Sequence, residues 1–264
     1  MRTLKLFVAI CVIMSTACSK VPITNRKQVH LLPSSEINSM AVQQYQDVLK
    51  KNKVITGTPD ALMVERVGQR ISAAAVGVMR QLKQPERVAG FKWEYHLLES
   101  KEVNAWCMPG GKIAVYSGIL PVTRDEIGLA VVVGHEVGHA IAQHGDERMS
   151  QALVAQLGGT ALSVALSSKP QQTQDIYNQA YGIGATYGAL LPFSRQQETE
   201  ADKIGLVLMA AAGYDPHAAI DLWERMKLQG GAKPPEFLST HPSDQNRIAA
   251  IKAYLPAAMK YYKK

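Results

Sequence analysis

Cysteine is scarce in this chain, with three among 264 residues. Hydrophobic residues make up 47% and charged residues 19%, which excludes a disordered, collagen-like or coiled-coil chain. A repeat of fixed period and an internal linker rich in Pro, Gly and Ser are both missing. We therefore predict a single folded domain, since a chain of this length can bury a sizeable core.

Long hydrophobic runs are missing as well. The unbroken apolar stretch at 6–14 has nine residues, whereas a helix that crosses a bilayer needs about 20. The uncharged stretch at 152–168 contains Gln, paired Gly and hydroxyl residues, which lower its hydrophobicity. We expect a packed helix there, with a membrane span as the weaker alternative.

Charge of one sign is in mild excess, because 29 Lys and Arg face 22 Asp and Glu, a net charge of +7. The basic residues are scattered along the chain rather than clustered on one segment. A stripe or patch of basic residues is the pattern typical of nucleic-acid binding. The charge therefore predicts no nucleic-acid partner.

The N-terminus has the pattern of a targeting signal. Basic residues precede the short apolar run, and small residues follow it up to Cys18. This resembles the lipobox of bacterial lipoproteins, in which Cys18 is lipidated and anchors the protein to a membrane. Ser19 then favours the outer membrane of a bacterial envelope, facing the periplasm. Cleavage after Ala17 with free secretion is the alternative.

Three segments follow from this pattern. We predict a signal peptide at 1–17, a lipidated N-terminus and polar tether at 18–35, and the folded domain at 36–264. In the mature chain Cys107 is the one remaining thiol besides the lipidated cysteine, so no intrachain disulfide is expected. The fold must be held by its core or by a metal.

Hydrophobic periodicity predicts an α+β fold that is mostly helical. Helices are expected at 35–51 and from Thr58 onward. Strands are expected at 91–98 and 111–117, on either side of a Pro-Gly-Gly turn, and they predict a short antiparallel sheet. A capping box at 123–126 then starts a long helix that is apolar nearly all round and therefore buried.

This buried helix contains the segment GHEVGH. His135 and His139 are four residues apart, so both imidazoles lie on one face and can reach one ion at about 2.1 Å. Burying them with the carboxylate of Glu136 is costly unless a cation compensates. We predict a divalent metal on the two histidines, with Glu136 deprotonating a metal-bound water. A chance pentapeptide with ordinary core hydrogen bonds is the alternative.

A catalytic zinc needs a third protein ligand. The metzincin pattern fails because its next histidine position holds Gly145. Glu198 and Asp202 share one face of a second predicted helix, so Glu198 can bind the metal while Asp202 accepts a hydrogen bond from a ligand histidine. A solvated acidic helix face is the alternative. Glu200 points about 200° away from Glu198, and His144 is interpreted as a surface or packing histidine.

Four segments in this order resemble the zinc metallopeptidase family M48, which includes HtpX, Oma-type and CAAX prenyl proteases. They are NAWCMPGGKIAVYSGIL at 104–120, HEVGH at 135–139, SRQQETEAD at 194–202 and STHPSDQNRI at 239–248. The resemblance covers about 36–256, and the layout is similar to that of LoiP-type periplasmic lipoproteins. It implies a gluzincin-type zincin domain with one Zn²⁺ per subunit. His135, His139 and Glu198 would be the ligands, Glu136 the general base and Asp202 the partner of a ligand.

The same resemblance brings His241 and Arg247 to the catalytic site. His241 would be a removable fourth ligand, or either residue could stabilise the oxyanion of the intermediate. A turn histidine and a structural ion pair are the alternatives. A further set resembles the edge strand and turn along which an extended substrate can add. These residues are Asn104, Ala105, Gly110 and Gly111.

These observations predict a membrane-anchored zinc metalloendopeptidase that hydrolyses unfolded or misfolded envelope proteins. A non-proteolytic zinc-binding chaperone, or an outer-membrane assembly factor with a latent site, is the alternative. A lipid-anchored structural protein without metal is a third possibility. The presence of Glu136 favours the protease, because a purely structural metal site does not need a general base.

Overall fold

The computed structural model describes residues 18–157, 194–229, 235–241 and 246–262. The helices are α1 Ser34–Lys51, α2 Pro59–Gln81, α3 Leu120–Thr123, α4 Glu126–Ala142, α5 His144–Leu157, α6 Arg195–Ala211, α7 Ala218–Leu228, α8 Glu236–Thr240 and α9 Arg247–Ala258. The strands are β1 Cys18–Lys20, β2 Lys27–Val29, β3 Val54–Ile55, β4 Glu94–Leu98, β5 Ala105–Met108 and β6 Lys112–Tyr116. The predicted class, α+β and mostly helical, is confirmed.

Local capping signals set the helix starts. The Thr58 side chain accepts a hydrogen bond from the Ala61 N–H at 3.1 Å at the start of α2. At α4 the cap is Asp125, whose carboxylate accepts the Gly128 N–H at 2.7 Å. The predicted cap at Thr123 was wrong, because Thr123 instead ends α3 and donates its hydroxyl to the Leu120 carbonyl.

The larger sheet is mixed, with the order β3-β4-β6-β5. The strands expected at 91–98 and 111–117 are present as β4 and β6, but they pair in parallel and not as an antiparallel pair. The reason is that the turn at Gly110 and Gly111, both at positive φ, joins β5 to β6 instead. β5 therefore forms one edge of the sheet.

Helices cover both faces of this sheet. Ala105 and Cys107 of β5 point into the main core, which contains the apolar side chains of α2, α4 and α6. Trp106 and Met108 point to the other face and join a smaller core with α1, where the Trp106 ring meets the Tyr45 ring edge-on. β5 is thus held rigidly beside α4.

Glycines allow α4 and α6 to pack closely. A Cβ atom on Gly138 of α4 would lie 2.8 Å from the backbone oxygen of Ala201, and one on Gly205 of α6 would lie 2.9 Å from the His135 nitrogen. Real side chains do not tolerate such contacts with backbone atoms. The close approach brings the acidic side chains of α6 to the histidines of α4.

The segment expected to be a tether packs on the domain. β1 and β2 form a two-stranded antiparallel sheet, Val21 is fully buried, and the Gln28 amide donates to the Ala142 carbonyl at 2.8 Å. The polar residues that suggested a solvated linker instead pair with groups of the domain. The signal peptide at 1–17 and the lipidation of Cys18 stay predictions.

A membrane-crossing helix is not found in the described part of the chain, where no helix is both long and apolar enough. Of the uncharged stretch at 152–168, the part up to Leu157 continues α5. The remainder lies outside the described residues.

Candidate metal centre

Two neighbouring helices supply the predicted site residues. α4 carries His135, Glu136 and His139, and α6 carries Glu198 and Asp202, which follow a capping box that begins the helix. Each of these five residues is at most 8% exposed. Buried polar groups of this kind need partners or a counter-charge.

The side chains converge as the spacing predicted. The Nε2 atoms of His135 and His139 are 3.1 Å apart. Glu198 spans both, with Oε1 3.3 Å from His139 Nε2 and Oε2 3.4 Å from His135 Nε2. The carboxylate from the second helix therefore lies within one coordination sphere of the two imidazoles.

His241 joins this group from the segment after α8. Its Nδ1 atom is 3.0 Å from Glu198 Oε1 and 3.3 Å from His135 Nε2. Its ring stacks on Phe237, with the centroids 4.6 Å apart. Its other nitrogen, Nε2, lies 3.4 Å from Oε1 of Glu136. His241 thus contacts a ligand and the predicted base at once.

The four groups fit a tetrahedral metal. Donor atoms bound to one ion at about 2.1 Å are separated by about 3.4 Å, and the distances above match that spacing. The four residues offer donor atoms that all lie within 4.8 Å of one another. Oε1 of Glu136 and Oε2 of Glu198 are buried without a hydrogen bond, with His241 Nε2 3.4 Å from the first and Arg247 NH1 3.0 Å from the second. A bound divalent cation would compensate for all of these features.

The electrostatics of His135 and His139 differ. Burial opposes the charge of His135, but Glu198 and Asp202 outweigh it and raise its pKa to about 9. Burial lowers the pKa of His139 well below its ordinary value, although Glu198 acts in the other direction. For the Glu198 carboxyl, the nearby His241, Arg247 and His135 outweigh burial and hold its pKa well below its usual range.

Asp202 and Arg247 lie behind His135. Asp202 Oδ1 is 2.9 Å from His135 Nδ1, which is the contact that a partner orienting this ring would make. Arg247 donates to both oxygens of Asp202, at 2.9 and 2.8 Å, and places NH1 3.0 Å from Glu198. Its guanidinium stacks 3.3 Å from the centre of a Trp223 ring. Arg247 therefore contacts two of the predicted site residues, Asp202 and Glu198.

A cavity opens beside Glu136 and His139, and Asn104 and Ala105 line it. The Asn104 carbonyl accepts the Tyr116 N–H at 3.0 Å. Because hydrogen-bonded and free positions alternate along an edge strand, the peptide groups of Ala105 and Cys107 face away from β6. The Ala105 N–H donates to the Asn104 side-chain oxygen at 2.9 Å, so the Ala105 carbonyl and the Cys107 peptide groups are the ones turned toward the open edge.

Gly110 and Gly111 do not line this cavity. They form the β5–β6 turn, where the Lys92 N–H donates to the Gly110 carbonyl at 2.8 Å. Gly111 packs so closely on the Trp93 ring that a Cβ atom would lie 2.6 Å from it. Gly110 and Gly111 therefore shape the turn after β5 and lie away from the strand positions that border the cavity.

Sequence reasoning missed the residues behind His139. His144, interpreted as a surface or packing histidine, is fully buried and lies 2.9 Å from the Nδ1 of His139. Glu200, which indeed points away from Glu198, contacts the other nitrogen of His144 at 3.0 Å. The chain reverses at Gln143, a non-glycine residue with φ of 58°. A glycine there would have signalled the turn; Gln gives no such signal.

The arrangement defines a class of protein. Two histidines one turn apart, a glutamate from a second helix and an adjacent buried carboxylate make a gluzincin-type metallopeptidase centre.

Comparison with known proteins agrees with this class. The profile described as peptidase family M48 matches residues 64–255, and the chain belongs to this family. It is 37% identical to the mitochondrial metalloendopeptidase OMA1 of Schizosaccharomyces pombe over 90% of this chain and 66% of that protein. It is 36% identical to the OMA1 of Saccharomyces cerevisiae over 66% and 50% of the two chains. It is 39% identical to the OMA1 of Arabidopsis thaliana over 60% and 30%. The chain thus spans between 30% and 66% of the length of these relatives.

The expected location was wrong. The N-terminal pattern was interpreted as that of a bacterial outer-membrane lipoprotein facing the periplasm. The relatives at 36–39% identity are instead mitochondrial proteins of yeasts and a plant. A short apolar run that ends in small residues and a cysteine was too weak a pattern to fix a compartment.

Proposed function

We propose that this chain is a zinc-dependent endopeptidase that hydrolyses unfolded or loosely folded polypeptides, with one zinc per subunit. The observation that carries the proposal is the convergence of His135, His139 and Glu198 donor atoms within 3.1–3.4 Å. They lie next to Glu136 and a cavity bordered by an edge strand. Family membership supports a metal-dependent peptidase of this kind.

Zinc held by these residues would supply Lewis acidity, polarising the scissile carbonyl and acidifying water. Glu136 would act as the general base. Burial raises its pKa, which favours proton uptake, and its Oε1 has no hydrogen bond that would compete. It takes a proton from water as the water oxygen bonds to the carbonyl carbon. It then returns that proton to the amine nitrogen as the C–N bond breaks.

β5 supports an unfolded substrate. The Ala105 carbonyl and the Cys107 N–H and carbonyl can pair with an extended chain through backbone hydrogen bonds, which demand little of the substrate sequence. Asn104 fixes the first of these positions by accepting the Ala105 N–H on its side-chain oxygen at 2.9 Å. A folded protein cannot present a strand to this edge unless it opens locally.

A zinc-binding chaperone without protease activity is the second candidate. The position of His241 favours it, because its Nδ1 lies within the donor group and could close the site as a fourth ligand. If so, replacing His241 with Ala would raise proteolysis. In the protease proposal the same change lowers kcat about 100-fold, since His241 then stabilises the oxyanion or contacts the base, while zinc stays bound by the other three residues.

The decisive experiment compares casein cleavage by the zinc-loaded full chain, the chelated chain and the Glu136→Gln variant. We expect the variant to bind zinc but to lose about 10²–10⁴-fold in kcat. Glu126→Gln at the other end of α4 is the matched control and should cleave normally. Equal cleavage by wild type, variant and chelated chain would end the proposal. One zinc per chain without turnover, together with suppressed aggregation in wild type and Glu136→Gln alike, would favour the chaperone.

A further inference from the structure

A second set of buried polar groups continues from His139 away from the metal ligands. His139 Nδ1 lies 2.9 Å from His144 Nδ1, and His144 Nε2 lies 3.0 Å from Glu200 Oε2. Glu200 in turn contacts Nε of Arg26 at 2.8 and 3.0 Å. The set runs from α4 through α5 and α6 to the turn between β1 and β2.

One arrangement of protons satisfies this whole set. When Nε2 of His139 binds a cation, its Nδ1 carries the proton and donates. His144 Nδ1 must then accept, so the proton of His144 lies on Nε2 and is donated to the Glu200 carboxylate. Because each donor meets an acceptor, the ring of His139 is fixed in the orientation that aims Nε2 at the metal.

Arg26 holds the far end of the set. Its NH1 and NH2 donate to the two oxygens of Glu147 at 2.6 and 2.7 Å, while its Nε donates to Glu200. The hydroxyl of Thr24 also donates to Glu200 at 3.0 Å. Glu147 and Glu200 are 6% and 3% exposed, so without the guanidinium two buried carboxylates would lack their counter-charge.

Other contacts hold the N-terminal hairpin, residues 18–29, and the residues after it against the end of α4 and the start of α5. Gln28 bonds the Ala142 carbonyl. The Leu31 N–H donates to the Ser150 hydroxyl at 3.0 Å. Arg87 donates to both the Gln143 side chain and the Lys20 carbonyl. The chain reversal that aims His144 at His139 is therefore held in place by this N-terminal segment.

We propose that His144, Glu200 and Arg26 are positioning residues of the metal centre, so that the N-terminal hairpin is a working part of the zinc site. The inference rests on the proposed function only in taking zinc as the metal. It predicts that a change in the hairpin, distant in sequence from every ligand, alters the metal itself.

The test measures the metal rather than proteolysis. Zinc dissociation constants of the full chain would be obtained by competition with a chromophoric chelator, and the ligand field from the visible spectrum of the Co²⁺-loaded chain. The variants are His144→Phe, Glu200→Gln and Arg26→Gln. Arg66→Gln is the matched control, because Arg66 also pairs with a glutamate of the domain, Glu126, but lies on the surface.

We expect about 10–100-fold weaker zinc binding and a shifted cobalt spectrum in His144→Phe and Arg26→Gln, with the control within twofold of wild type. Arg26→Lys should restore part of the affinity, because it keeps the charge but not the forked geometry. Should His144→Phe fail to fold, Arg26→Gln and Arg26→Lys carry the test.

A purely structural role would lower the unfolding temperature of the metal-free variants and leave the zinc affinity and cobalt spectrum of the folded chains unchanged. That result would overturn the inference while the proposed function stands. A wild-type chain that binds no zinc would end both. A chain that binds zinc tightly, shows the expected variant effects and cleaves nothing would end only the proposed function.

Discussion

The two metal-facing histidines of α4 are built into different surroundings. His135 is backed by an anion, Asp202, which Arg247 clamps from the buried side. On the Nδ1 side, His139 is backed by the imidazole of His144, and the Glu200 carboxylate lies beyond that imidazole. The pKa of the first is raised and that of the second is lowered. We therefore expect the two proposed ligands to be oriented differently, His135 by a neighbouring charge and His139 by a fixed direction of hydrogen bonding.

The two surroundings also differ in their place along the chain. The partners of His135 lie at 202 and 247, inside the region 64–255 that the family profile matches. The chain of contacts behind His139 ends at Arg26, outside that region. The proposed metal centre therefore includes residues outside the segment that identifies the family.

We call the residues behind His135 the charged half of the site and those behind His139 the histidine half. Removing Glu198, which contacts both His135 and His139, should have the largest effect on zinc binding. Glu198→Ala deletes the carboxylate that spans His135 and His139, so we expect zinc binding to weaken by more than about 100-fold, because the loss of an outer partner alone costs about 10–100-fold. Zinc content after dialysis measures this. Glu126→Ala is the control on α4. Full zinc retention by Glu198→Ala would show that the carboxylate is not a ligand.

Removing the anion behind His135, in the charged half, should weaken zinc binding less. Asp202→Asn keeps the shape but removes the anion that orients His135, and we expect about 10–100-fold weaker zinc binding. If the two halves act independently, Asp202→Asn and His144→Phe add in free energy. The double variant, measured by chelator competition, checks this. A double variant no weaker than either single change would show that both act through one common distortion.

The close packing of α4 on α6 can be tested by adding a methyl group between the two helices. In Gly138→Ala the new methyl group meets the backbone oxygen of Ala201, so we expect a loss of about 1–3 kcal/mol in unfolding free energy. Gly77→Ala is the control, since open space surrounds Gly77 in α2 and alanine favours a helix by up to about 1 kcal/mol. Urea unfolding measures both. Equal stability of the two variants would contradict the close packing.

Acid should lower the stability of the folded chain through His30, which follows the N-terminal hairpin. Burial, aided by Arg87, lowers the pKa of His30 to about 4. Between pH 6.5 and 4 the unfolded chain therefore binds a proton that the folded chain does not, and stability falls as pH falls. We expect a loss of about 2 kcal/mol from pH 7 to pH 5. His30→Gln should show a smaller loss in urea unfolding at these two pH values; an identical loss would mean that His30 stays solvated.

The sequence is enough to bring together the residues that face the proposed metal and the carboxylate behind His135. It is not enough to find the residues behind His139. His135, Glu136 and His139 follow from helical spacing, and Glu198 and Asp202 follow from the same rule on a second helix. His144 could not be placed, because its contact depends on the left-handed backbone of Gln143. Arg26 is separated from Glu200 by 174 positions, and no local pattern encodes such a pairing.

The same limit applies to the sheet. Alternation located β4 and β6 within a few residues. Alternation did not reveal β5, because this strand is buried on both faces and lacks a polar alternation. β5 lies between β4 and β6 in the sequence and reverses the chain direction, so β4 and β6 pair in parallel. Strand existence is a local property, whereas strand order is decided by packing against α1 and α4.

X-ray absorption spectroscopy of the full chain loaded with one equivalent of zinc tests the central claim most directly. The structure predicts nitrogen and oxygen ligands only, at about 2.0–2.1 Å, with the multiple-scattering signature of at least two imidazoles. A sulfur ligand at about 2.3 Å, or a shell of water oxygens without imidazole, would contradict the convergence of His135, His139 and Glu198 on one ion.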